Sequence, residues 1–324
     1  MRKLLILTLI TIAGCTPAQE RSQSTAIENE RVSELTWTTL APAPTERTEV
    51  AAAAVGEDIY VVGGFVDGGG TVATVEIYNT ADDRWRTGPD LPVSVNHAMA
   101  ASFDGVVYVF GGYQGPGLDA ASDRAFAFQD GRWREIAKMP EVRAAAGAAT
   151  VGDRIYIAGG VGPGTSGLAE TMMVLNPSGG AWNTEPGVPT MREHLGVGGG
   201  QGSVLVAGGR APNNLATMEI YETATKQWTT HPNMPTARGG IAAALSLSRF
   251  LVAAGGEAAN TFDEAEAFDL DSGDWITLPP MPTARHGLGV VAIDSRLYVI
   301  AGGPQPGLFF SAANEMIDLA PLLQ

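Results

Sequence analysis

The chain has 324 residues, enough for one large domain or two ordinary ones, and its 41 glycines are spread periodically through it. A formal net charge of −15 argues against nucleic acid as a partner, because that binding needs basic side chains to release counterions. The single cysteine, Cys15, excludes a disulfide framework and any cysteine-based metal site.

The first element is a leader. "MRK" is a basic start and "LLILTLITIAG" a short apolar run, too short to span a bilayer. It ends in "IAGC" at residues 12–15, which resembles the lipobox of bacterial lipoproteins. That resemblance implies a signal peptide over 1–14, lipidation of Cys15 as the new N-terminus, and attachment to a membrane of the bacterial cell envelope. Thr16 in place of Asp favours the outer membrane, facing the periplasm. Residues 15–34 then form the lipidated Cys and a polar, flexible tether, and 35–324 the folded part. Of 20 basic residues, cleavage removes Arg2 and Lys3, which takes the net charge from −15 to −17. Lipid, not charge, would hold such a molecule at an anionic surface.

The folded part repeats. "IYVVGG" (59–64) returns as "VYVFGG", "IYIAGG", "VLVAGG", "LVAAGG" and "YVIAGG", with the Gly pairs 48, 48, 49, 47 and 47 residues apart. One repeat reads as four short strands: small-residue "EVAAAAV", then "IYVVGG", alternating "ATVEIYN", and "RWRTG", with turns between. Small residues on the first strand suit a crowded axis. All six tryptophans (37, 85, 133, 182, 228, 275) share one slot on the fourth strand, the place for sheet-on-sheet packing. The second strand carries Tyr60, Tyr108, Tyr156 and Tyr298, with Leu205 and Leu251 in the same slot. In repeats five and six the slot lies one residue further from the Gly pair, which predicts a bulge there.

A Gly pair, a tryptophan about twenty residues on, then "LP" or "MP" and often Arg resembles the Kelch repeat, over residues 35–320. The resemblance implies an all-β, six-bladed propeller with four antiparallel strands per blade. Trp37 precedes the first Gly pair, while the last repeat ends at "NEMIDL" without a tryptophan. The N-terminal strand 35–40 should therefore complete the last blade and close the ring. The expected state is a monomer.

Two loop sets open on one face. The first carries Arg47, Arg143, Arg192, Arg238 and Arg285 in equivalent places, with Val95 in blade two. Five guanidiniums around an axis could bind carboxylate or phosphate, or could brace neighbouring blades. Two residues later come Glu49, His97, Ala145, His194, Gly240 and Gly287; Glu193 and His286 stand one residue after their arginines. Four blades thus offer acid–base groups and two offer space. The second set begins Phe65, Tyr113, Val161, Arg210, Glu257 and Pro304, with Phe309 and Phe310 following in blade six. Tyr113 is a candidate stacking wall and Arg210 a further cation. Glu76, Glu219, Glu266 and Glu315 share a third-strand slot, filled by Arg124 and Met173 elsewhere, and their recurrence suggests pairing with Arg or backbone. The four histidines fall on different blades without short ligand spacing, so no metal and no cofactor are expected.

Two functions compete. In the first, a tethered binding module holds an anionic protein, peptide or small ligand through Arg47, Arg143, Arg192, Arg210, Arg238, Arg285, Tyr113 and His286. In the second, resemblance to periplasmic Kelch sialic-acid epimerases implies a sugar-acid mutarotase. There Arg would hold the carboxylate, and Glu49, His97, Glu193 or His194 would move protons. Kelch copper oxidases need a Cys-crosslinked Tyr that this chain cannot make.

Overall fold

The computed structural model describes residues 30–324, apart from 116, 119 and 165. The expected signal peptide and Cys15 lie outside the described residues, as does the tether up to residue 29. Residues 30–33, expected to end the tether, form a helical turn instead. Val32 packs on the core and Arg31 donates to the carbonyls of Leu322 (3.4 Å) and Gln324. No helix among the described residues is long and apolar enough to cross a membrane.

Six four-stranded antiparallel sheets make a six-bladed propeller. Blade one runs Ala51–Val55, Asp58–Val62, Val75–Asn79 and Arg84–Thr87, from axis to rim. The inner strands of the others are Met99–Phe103, Gly147–Val151, Gly196–Gly200, Ala242–Ser246 and Gly289–Ile293. Each inner strand touches those of both neighbours, and the sixth touches the first, so the ring is closed. Crowding at the axis explains their Ala and Gly: a Cβ on Gly147 would lie 2.2 Å from Val197, and one on Gly196 2.7 Å from Ala243.

Closure follows the expected route. Trp37–Thr39 pairs with Asn314–Asp318, Trp37 opposite Ile317, as the outer strand of blade six. Apolar clusters fill each of the six blade interfaces. Every tryptophan slot also makes one directed contact. The indole N–H donates to a backbone carbonyl of the preceding blade: Trp37 to Pro279, Trp85 to Ala41, Trp133 to Pro89, Trp182 to Ala137, Trp228 to Pro186 and Trp275 to Pro232, all at 2.8–3.0 Å. Only Trp133 is buried and the other five are half-buried; in each the directed bond fixes where the outer strands meet.

The expected bulges are absent. Phe250–Ala254 and Arg296–Ile300 pair without interruption on both sides. In blade five the extra residue lies in the preceding turn, where Leu247 and Ser248 have positive φ, so Val252 takes the place of Tyr60 opposite the third strand. In blade six Ala301, at φ +57, stands where blade one has Gly63 at φ +66.

Removing residues 35–40 strips the closing strand and exposes the edge of Asn314–Asp318. The loss of Trp37 packing alone is expected to cost about 3 kcal/mol. The truncated chain should unfold at lower urea concentration and elute as larger species on gel filtration, because the open edge is a template for pairing.

Candidate functional site

The face expected to carry function is built on a backbone collar. Around the axis, His97 N–H donates to Glu49 O (3.1 Å), Ala145 to His97 (3.0 Å), His194 to Ala145 (2.8 Å), Gly240 to His194 (3.0 Å) and Gly287 to Gly240 (3.1 Å). Val50 N–H closes the circuit on Gly287 O at 3.4 Å. All six collar residues adopt left-handed backbone: φ is +55 at Glu49, +52 at His97, +50 at Ala145, +53 at His194, +72 at Gly240 and +60 at Gly287. Glycine takes this conformation freely and a Cβ makes it costly. Glu49, His97 and His194 nevertheless occupy it, and their side chains line the axial mouth.

The mouth is a cavity of about 120 Å³, lined by the six collar residues and by apolar residues, most of them small, below them. The opposite end of the axis is lined by Ala, Gly, Val, Leu245, Ser102 and Thr150, with no ionisable group. Chemistry is thus confined to one end.

Within the mouth Glu49 Oε2 lies 3.3 Å from His97 Nε2, and Oε1 lies 3.3 Å from His286 Nδ1. The rings of His97 and His194 are 5.0 Å apart, centre to centre, edge on face. Glu49, His97 and His194 each offer one donor atom within 4.8 Å of the others, a spacing that could hold a metal ion. The separate histidines, expected to make no metal site, therefore meet: nearly fifty residues of chain return each blade to the same axis.

The far side of each imidazole is fixed. His97 Nδ1 is 2.6 Å from Asn96 Oδ1, and His194 Nδ1 bonds Glu193 Oε2. Asn96 spends its amide N–H groups on Thr71 Oγ1 (3.0 Å) and Gly115 O (3.5 Å), so its oxygen is the acceptor and His97 Nδ1 carries the proton. The Glu193 carboxylate can only accept, which sets the same tautomer in His194. His286 Nε2 donates to Gly307 O at 3.0 Å, and its buried Nδ1 makes no aligned hydrogen bond. Phe65 and Tyr113 wall His97 with their ring edges, at 5.9 and 5.6 Å.

Burial lowers the His97 pKa to about 4, against the pull of Glu49. Burial pushes Glu49 up, but the facing imidazoles of His97, His286 and His194 outweigh it, so the carboxyl stays well below its ordinary range. Burial also lowers His286, yet Glu49 and Glu257 raise it net, favouring imidazolium. Arg210 bridges Glu193 (2.7 Å) and Glu257 (2.9 Å) at the edge of the mouth. Its pKa is raised, burial being offset by these two carboxylates. Glu257 begins a loop flagged by the repeat pattern, but its axial role was not foreseen; the signal was an acid where other blades place Phe, Tyr, Val, Arg or Pro.

The five repeat arginines do not line the mouth. Arg47, Arg143, Arg192, Arg238 and Arg285 have fully buried side chains. Arg47 pairs with Glu76 (2.7 Å), Arg238 with Glu266 (2.7 Å), Arg285 with Glu315 (2.5 Å), and Arg192 with Glu219. Blade three has Met173 in the acidic slot, and Arg143 turns to the more exposed Glu141 (3.0 Å). In blade two, where Val95 replaces the arginine, Phe126 and not Arg124 faces the equivalent strand position. The guanidiniums also bond the carbonyl of the first Gly of the pair in four blades: Gly63, Gly159, Gly208 and Gly255. The recurrent Arg and Glu therefore brace the second and third strands to the loop above them. Charge inside the protein without water excludes these arginines from an open anion ring; Arg210 is the partly exposed cation of the face.

Of the expected site residues, Glu49, His97 and His194 line the mouth, and His286, Glu193 and Tyr113 contact them, with Arg210 on Glu193. Cys15 lies outside the described residues. His231, expected on a blade of its own, lies on the outer strand of blade four, which also carries His194; it sits away from the axis with Thr229 Oγ1 at 3.0 Å, as expected of an ordinary side chain. The protein has the six-bladed Kelch-type propeller fold. The Kelch motif matches residues 46–92 and 191–235, blades one and four. A search of curated proteins gave no match.

Arg192→Met leaves Glu219 charged and unpaired in the core and is expected to cost about 3–5 kcal/mol in urea denaturation. The double change Arg192→Met with Glu219→Met should recover most of that loss. Equal instability of single and double variants would contradict a bracing pair.

Proposed function

We propose that this protein is an envelope-tethered binding propeller that works through its axial mouth. The observation that carries this reading is the convergence of Glu49, His97 and His194 from three blades onto one small cavity, with His286 of a fourth blade 3.3 Å from Glu49. Three carboxylates, Glu49, Glu193 and Glu257, face Arg210 and His286 there. That balance favours a cationic or hydrogen-donating group over the anion first expected. The cavity is well below the roughly 300–1,000 Å³ of drug-sized pockets, so it suits an ion or the tip of a larger ligand. Attachment through Cys15 to the outer membrane, facing the periplasm, rests on the leader sequence.

A second reading keeps the enzyme. Two acid–base groups 3.3 Å apart, Glu49 and His97, are what opening and reclosing a sugar ring requires. A sugar acid would need a carboxylate clamp, and Arg210 would have to release Glu193 or Glu257 to supply it.

A thermal-shift panel on the full chain in mild detergent separates these readings. It should contain sialic and uronic acids, acidic peptides, neutral sugars, and amines or basic peptides. A ligand at a hundred times its Kd adds about 2.7 kcal/mol of stability. Shifts are expected from neutral or cationic members and should vanish in His97→Ala. A shift from sugar acids that survives His97→Ala and is lost in Arg210→Ala would overturn the axial reading. Anomer exchange lost in Glu49→Gln would establish the enzyme.

A further inference from the structure

We propose that Glu49, His97 and His194 bind one divalent first-row transition-metal ion at the mouth of the propeller. The inference rests on the axial-mouth reading and names the ligand that its inner end takes.

Three features of the geometry point to a cation. First, the donors are spaced for one. Glu49 Oε2 and His97 Nε2 are 3.3 Å apart, and all three residues have a donor within 4.8 Å of the others. Bonds of about 2.1 Å to a tetrahedral ion place neighbouring donors about 3.4 Å apart, so movements of a few tenths of an ångström to about 1 Å complete the set.

Second, the tautomers are those of metal ligands. Asn96 Oδ1 and Glu193 Oε2 take the Nδ1 protons of His97 and His194, which leaves each Nε2 with a lone pair. At His97 that nitrogen lies 3.3 Å from Glu49 Oε2, while Nδ1 is held 2.6 Å from Asn96 Oδ1. An imidazole whose outer N–H is held by an oxygen acceptor is the usual arrangement of a metal-bound histidine. His286, whose Nδ1 lies 3.3 Å from Glu49 Oε1, holds the third ligand from its other oxygen by charge, without an aligned hydrogen bond.

Third, the ligands sit where the backbone disfavours them. Glu49, His97 and His194 hold left-handed φ at positions that glycine fills in blades five and six. Strain of this kind, of order 1–3 kcal/mol per residue, persists where side-chain identity matters.

Two imidazoles and one carboxylate suit a divalent ion such as Zn²⁺, Fe²⁺ or Co²⁺, and imidazole donors argue against Mg²⁺ or Ca²⁺. Three protein ligands leave a coordination position open toward the mouth, where water or a ligand atom could bind.

The test uses the full chain, stripped with a chelator and titrated with Zn²⁺ alone by calorimetry and with Co²⁺ alone by visible absorption. One ion per chain is expected, with Kd below about 1 μM, together with Co²⁺ d–d bands. His97→Ala and His194→Ala should each weaken binding at least about 100-fold, and His231→Ala should leave it unchanged. Glu193→Ala should weaken it about 10–100-fold, and Glu193→Gln, which keeps an acceptor for His194, should restore most of the loss. Rescue of that kind separates positioning from general damage to the fold. Absence of binding to the wild-type chain, or binding indifferent to His97 and His194, overturns the metal site. If organic ligands still shift the stripped protein through His97 while Zn²⁺ does not bind, the axial reading stands and the metal falls. If Zn²⁺ binds as described and no organic ligand does, the metal site stands and the mouth is an ion site.

Discussion

The collar of main-chain hydrogen bonds around the axis is the constraint on which the rest of the molecule depends. Five links join the residue before one inner strand to its equivalent in the next blade, and Val50, beside Glu49, makes the sixth, so six sheets share one ring. A ring of this kind demands left-handed backbone at every node. That conformation turns the node side chains toward the axis, where they line one cavity. The geometry that closes the propeller is therefore the geometry that assembles the site. Residues nearly fifty positions apart become neighbours without any local motif between them.

Around the collar, two further devices hold the blades in place. In four blades buried Arg–Glu pairs tie the loop before the inner strand to the second and third strands, and indole N–H bonds tie each outer strand to the blade before it. A buried ion pair is weak evidence of net stability, because desolvation offsets most of the attraction. Its value here lies in specificity. A guanidinium that bonds both a carboxylate and the carbonyl at the Gly pair accepts one register of the strands and penalises the others. Blade two lacks both halves of the pair, with Val95 and Phe126 in their places, and fills the space with apolar contacts instead. Blade three, with Met173 in the acidic slot, keeps its arginine and supplies another carboxylate, Glu141, so that in neither blade is a charge left alone.

Much of the fold was legible in the sequence because a repeat is its own alignment. The recurring Gly pair, the six tryptophans in one slot and the missing last tryptophan gave the blades, their number and the closing strand. Two limits have physical causes. Counting from the arginine misplaced the slot of blade five, because an added residue is taken up in a turn (Leu247, Ser248), and in blade six the Gly pair comes one residue late because Ala301 accepts the left-handed conformation, with the ladders intact in both. The arginines were harder. A recurrent Arg beside a loop is equally consistent with an open anion ring and with a buried brace, and only the depth of the side chain separates the two. The site itself was partly legible: the position two after Arg was singled out as the one that varies between ionisable and tiny residues. Its metal-like geometry was not, since ligand spacing along the chain is informative only where one helix or hairpin supplies several ligands.

The repeat also supplies an internal comparison that bears on function. Six collar positions share one backbone conformation and one hydrogen-bonding role, yet they hold Glu, His, Ala, His, Gly and Gly. Gly240 and Gly287 show that the collar needs no side chain, and Ala145 that a methyl suffices. Nothing in the fold calls for a carboxylate at 49 or imidazoles at 97 and 194, and both the backbone strain and the burial of charge oppose them. Each is nevertheless supported from behind by a partner of its own, His286, Asn96 or Glu193, which aims it inward. Side chains that a fold does not require, held at a cost and oriented toward one cavity, are arranged for something that enters it. The collar thus separates two jobs that most sites mix: its main chain carries the structure, and its side chains are left free to set the chemistry of the mouth.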